Sequence, residues 1–309
     1  MQVKRGKEDY YNDFKELYVQ ILKRSKPYAE LYKETENKLI SFKTDHVMDN
    51  NSIEFLPAYF NMIECLLAQN DQLAQVKQYL IVCLTNLLNA SKKVDEKGMQ
   101  NQRDEYQKDE VHRKLLQSKL DLLFGRYNIL MRSKGEEAIN KLTSSIISYS
   151  ELYGPENVGL TQQYYYLADY MLDYIEPKGE QEERLKKITV KRIYSKIADM
   201  WRMYFNGTIN PLFLYNEDDI TLLAIGETFV KMISNRIANV FPRNSECELD
   251  LKFKMIKAMI FKKTGSDYYN QARTNALEYL NKIENNIKDK EFMSDMTNLM
   301  KIEEGEAQY

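Results

Sequence analysis

The chain has 309 residues, enough for one large core or two ordinary ones, and 43% of them are hydrophobic, which excludes an intrinsically disordered protein. Lys and Arg number 44 against 46 Asp and Glu, a net charge of -2, so no global field would draw the chain to DNA, RNA or an acidic membrane surface. Three widely spaced cysteines, Cys65, Cys83 and Cys247, and only two histidines, His46 and His112, argue against a disulfide framework and a Cys/His metal cluster.

Apolar residues return every three or four positions from end to end, with few Gly or Pro and no alternating strand pattern, so helices are predicted throughout. The opening stretch MQVKRGKEDYYNDFKELYV is charged where a secretory leader needs an apolar centre. The longest apolar run, YLIVCL, is too short to span a bilayer, and the expectation is an intracellular, soluble protein. The segment KEDYYNDFKELYVQILKRSKPYAELYKETENKLISFK predicts a helical pair broken near Pro27.

After the breaker DHVMDNNS, residues 60 to 83 fit the tetratricopeptide (TPR) pattern of large and small positions in one register: Phe60, Ile63, Leu67, Val76, Leu80 and Cys83, with Glu64 where a small residue belongs. Small positions let two helix axes approach closely while large ones fill the gaps between neighbouring repeats. Cys83 is therefore a small core residue and not a ligand. Residues 92–110, KKVDEKGMQNQRDEYQKDE, are nearly free of apolar side chains; they predict a solvated loop or an exposed helix extension, or a contact with a partner. A weaker copy follows, in which LLQSKLDLLFGRYNIL fits loosely and EEAINKLTSSI supplies Ala138, Leu142 and Ser145.

The stretch YGPENVGLTQQYYYLADYM completes the first-helix pattern with Tyr164, Leu167, Ala168 and Met171. Its second helix comes late, because IEPKGEQEER lengthens the turn, and carries Val190, Tyr194, Ile197 and Trp201, the last as core filler at the junction with the next repeat. Beyond residue 216, helices around 217–241, 246–264, 267–287 and 289–303 keep the amphipathic period and lose the signature. The acids of NEDDITLLAIGE lack the alternate oxygen ligands and central Gly of a calcium loop and suit a helix N-terminus.

The predicted fold is all-α, a TPR-like right-handed array of antiparallel helical hairpins, an α-solenoid. Three parts are expected: an N-terminal helical pair over 1–50, TPR-like repeats over 51–215, and atypical repeats with a cap over 216–309. The concave side of such an array is formed by first-helix residues not used in packing, and it holds partner segments. Counted from Tyr164, that face carries Gln162, Tyr165, Asp169, Leu172 and Asp173; counted from Phe60, it carries Ala58, Asn61, Cys65, Ala68 and Gln69. Shielding of these positions by a helix of the same chain gives the same pattern. On this reading Tyr164 is core, Tyr165 faces a partner and Tyr166 borders the neighbouring helix. Neither face holds Lys or Arg, which counts against a clamp for an acidic C-terminal peptide. No catalytic motif is present, so no enzyme activity, cofactor or metal is expected.

The blocks FLPAYFNMIECLLAQNDQLAQVKQYL, VHRKLLQSKLDLL, YGPENVGLTQQYYYLADYM and IYSKIADMW stand in the order and similar spacing found in the MYND-finger-containing protein 12 family of axonemal TPR proteins, and the chain resembles that family over roughly residues 52 to 205. The resemblance implies a non-catalytic subunit of cilia and flagella that helps attach or organise a single-headed inner dynein arm on the doublet microtubule. Implied partners are an inner-arm dynein heavy chain or its light chains and a second axonemal TPR protein, with no nucleic acid and no membrane. Animal members carry an N-terminal zinc finger; here His46 and Cys65 are the first residues of their types, so the helical pair stands in its place and no zinc is expected. The alternative is a cytosolic TPR adaptor or a chaperone-linked factor in dynein assembly.

Overall fold

The computed structural model describes residues 5–46, 52–70, 72–98, 103–132, 135–207, 219–241 and 247–301, and the side chains of all of these except 92–98, 103–109, 219 and 247. Among the described residues the chain is all-α, with twelve α-helices and no strand. It divides into two compact units, Met1–Pro155 and Glu156–Tyr309.

In the first unit α1 (Lys7–Lys23) starts where the Gly6 N–H donates to Asp9 Oδ2 at 3.0 Å, and ends at Arg24 in the left-handed conformation (φ 52°). Pro27 then opens α2 (Tyr28–Asp45). A single-turn 3-10 helix, Ile53–Phe55, is capped by the Ser52 hydroxyl, which accepts from the Glu54 N–H, and leads into α3 (Leu56–Gln69), with Pro57 in its first turn. Asn70, at φ 51°, closes α3 before α4 (Leu73–Gly98), and α5 (Arg103–Leu130) and α6 (Gly135–Tyr153) complete the unit.

The helix α3 is buried on two sides. Ala58, Met62 and Cys65 join Tyr10, Phe14 and Phe42 of α1 and α2 in one cluster. Phe60, Ile63 and Leu67 join Leu80 and Cys83 of α4 and Leu120 of α5 in another. The loosely patterned α5 packs closely on α6: Ser118 Oγ donates to the Ser145 carbonyl at 2.9 Å, Ser145 Oγ returns the bond to the Ser118 carbonyl at 2.7 Å, and Leu142 lies against Gly125. Small residues at both positions permit this approach.

The second unit comprises α7 (Thr161–Tyr174), α8 (Glu180–Phe205), α9 (Asp219–Val240), α10 (Cys247–Lys263), α11 (Tyr269–Ile283) and α12 (Lys290–Met300). Its centre is Trp201, 0% exposed, whose Nε1–H donates to Thr161 Oγ1 at 3.1 Å. The indole reaches Gly226 of α9 so closely that a Cβ there would lie 2.5 Å from Cη2, and Ile260 of α10 closes the same space. At the end of the chain α12 buries Phe292, Met293, Met296 and Met300 against α8 and α10. The Asp289 carboxylate caps it by accepting from the Phe292 N–H, and also takes a bond from Lys252 at 2.5 Å.

The compact units do not follow the expected three-part division. No boundary falls at residue 50, because α1 and α2 share a core with α3, and none at 215, because α9 and α10 pack on α7 and α8. The break comes at Gly154 and Pro155, where a φ of 85° and a missing backbone donor end α6. The charged insertion is helical over 92–98 and 103–110, as extensions of α4 and α5; residues 99–102 lie outside the described residues.

Candidate functional site

The first-helix face expected to hold a partner is covered from within each unit. On α3, Ala58 (0% exposed), Asn61 (4%) and Cys65 (0%) lie under α1, and the Asn61 side-chain amide donates to the Phe14 carbonyl at 2.8 Å. Burial pushes the Cys65 thiol up to about 12, so it stays protonated and unreactive. Only Ala68 and Gln69, at the end of α3, are exposed. On α7, Gln162 and Tyr165 are buried: the Tyr165 ring meets Phe229 of the neighbouring α9 edge-on at 5.2 Å and its hydroxyl donates to Asp169 at 3.3 Å. Arg236 pairs with Asp169 and Asp173; Asp169 and Leu172 are half-buried, and Asp173 is exposed. Ala58, Asn61, Cys65, Gln162 and Tyr165 are thus inward-facing in this chain, because helices of the same unit pack on the face the pattern leaves open.

The tyrosine triplet divides differently from the expectation. Tyr165 is the core residue, whereas Tyr164, Leu167 and Met171 are half-buried and Lys196 Nζ stands 5.4 Å over the Tyr164 ring. Tyr166 meets Phe229 of α9. Ala168 is fully buried, as are Val190, Tyr194, Ile197 and Trp201 on α8. Burial also raises the pKa of the Tyr194 phenol, and its hydroxyl is left without a hydrogen-bond partner among the described residues.

An ionic cluster that sequence reasoning missed ties α1, α3 and α5 together. Glu64 is 5% exposed and lies 3.2 Å from Lys119, with Arg126 on its other oxygen. Lys119 also donates to the Tyr18 hydroxyl at 2.6 Å and stands over that ring at 4.3 Å. Burial alone would raise the Glu64 carboxyl, but Arg126 and Lys119 outweigh it and hold the group below the ordinary glutamate range. The one sequence signal was a carboxylate in a small-residue position.

The described surface of the second unit also bears a shallow groove of about 450 Å³ along α8, lined by Ile188, Arg192, Lys196, Met200, Met203 and others, among them the acids Glu156 and Asp199. At about 100° per residue these positions stand on the face of α8 opposite Val190, Tyr194, Ile197 and Trp201. One helix thus presents a buried aromatic face and a second face of bases and aliphatics. Among the described residues no group of three or more His, Cys, Asp or Glu is placed to hold a metal ion, and no helix is long and apolar enough to cross a membrane. Neither a family model nor a curated protein matches this sequence.

Proposed function

We propose that the chain is a non-catalytic docking subunit of the ciliary axoneme, helping to attach or organise a single-headed inner dynein arm on the doublet microtubule. The observation that carries this reading is the helical-hairpin packing in a TPR-like register, with Phe60, Ile63, Leu80 and Cys83 buried together around α3 and α4. The sequence blocks that resemble the axonemal TPR family fall on α3, α4, α5, α7 and α8, each of which carries buried core residues. Function in such a protein is geometric: packed hairpins hold attached chains at fixed spacing through many modest contacts. Because α1 and α9 cover many of the first-helix positions, partner contacts belong to the outer helix faces, of which the α8 groove is one among the described residues.

Fractionation of cilia tests the location. Retention with demembranated axonemes and release in the dynein-containing high-salt extract is the expected result. Recovery only in the cytosol would replace this reading with that of a soluble adaptor or assembly factor.

A further inference from the structure

The geometry points to a specific occupant for the α8 groove: an acidic amphipathic helix of a partner protein. This deepens the docking reading and rests on it. Three observations converge on that chemistry.

The first is charge. From Arg184 to Ala198 the sequence holds six cations and no acid. Lys186 and Lys187 are matched by Glu183, at 3.3 and 3.0 Å. Further along, Arg192 is exposed with no carboxylate on it among the described residues, and Lys196 stands over the Tyr164 ring with no ion pair there. Asp199, the acid nearest them on α8, faces Lys252 at 3.8 Å. Lys191, Arg192 and Lys196 thus stand against Glu156 and Asp199 in the groove lining, a positive balance, and complementarity favours a negative partner.

The second is the apolar component. Leu185 and Ile188 are 62% and 38% exposed, and the half-buried Met203 continues the apolar lining to the end of α8, where Met200 is itself buried. Aliphatic and Met side chains on one helix face accept the apolar stripe of a partner helix, and Met adapts its shape to such a stripe. A single-stranded nucleic acid would instead want aromatic stacking platforms. The third is length: Ile188 to Met203 spans about 22 Å of helix, room for roughly four turns of a partner helix lying alongside.

The test uses the full-length protein and a labelled synthetic helix of about 18 residues, with Leu on one stripe and Glu elsewhere, read by fluorescence anisotropy at about 50 mM salt. Binding of this peptide is expected, weakened roughly tenfold or more by scrambling the stripe, by replacing Glu with Lys, and by the double substitution Arg192→Glu/Lys196→Glu. Met203→Ala alone should weaken it a few-fold. Helicity and melting of each variant are recorded; if the double reversal does not fold, Lys196→Gln replaces it and should still weaken binding.

Three results would overturn the proposal: no measurable binding of the Glu peptide, equal binding of the scrambled peptide, or unchanged binding by a folded variant. Tighter binding of phosphatidylserine vesicles or polyuridylate, lost with the same substitutions, would overturn it in favour of those ligands. Because the anisotropy series uses purified protein, its failure removes the groove assignment alone, whereas a failed axonemal fractionation removes the location.

Discussion

Glu64 is held by Arg126 and Lys119 in a space with almost no access to water, so its value to the fold lies in completing a set of charges. Glu64→Gln leaves both cations without their carboxylate and should cost about 3–5 kcal/mol in urea unfolding at pH 7. The sign of the pH dependence follows from its depressed pKa: the stabilisation is present above the unfolded-state value of about 4.3 and is lost as pH falls through the lower folded value. The gap between the two proteins should therefore close in acid. Asp169 acts in the other direction, since burial outweighs Arg236 and leaves its pKa raised; its contribution is present at low pH and lost as pH rises through the folded value. Gly226 is the steric counterpart. A methyl group there would lie 2.5 Å from the indole and 2.9 Å from Ile260, so Gly226→Ala should cost about 1–3 kcal/mol in a thermal melt. Gly179, with nothing within 4 Å of a Cβ, serves as the tolerant control.

The helices differ in how openly their sequence states their surroundings. The α3–α4 register was legible because large and small residues at fixed spacing describe the contact of two consecutive helices, and that contact is local. The pattern blurred in α5, which packs on α3, α4 and α6, so that Leu120, Leu122, Leu123, Tyr127 and Ile129 are buried around much of its circumference. The first-helix face was misjudged for a related reason. Spacing shows which residues turn away from their own hairpin, but not whether a partner or the next helix meets them; Arg236 stands 63 positions from Asp173. Long-range ion pairs of this kind leave no local trace. At the C-terminal end α12 depends on Asp289, which both caps the helix and neutralises the buried Lys252. Asp289→Ala should lower stability by about 1–3 kcal/mol, and hydrogen exchange should quicken first in α12.

The chain divides into two compact units at a Gly-Pro step. Residues 1–155 and 156–309, expressed separately, should each be helical and melt cooperatively; an unfolded fragment would show that its core is incomplete alone. The position of Trp201 makes the two transitions separable in the intact chain. It is the only tryptophan of the protein and lies in the second unit, sealed by Thr161 and Gly226. Indole emission thus reports on the surroundings of one side chain within residues 156–309, while circular dichroism sums over both units. Overlaying the two signals along one denaturant series would read out, without any label, whether the halves melt in concert or in turn.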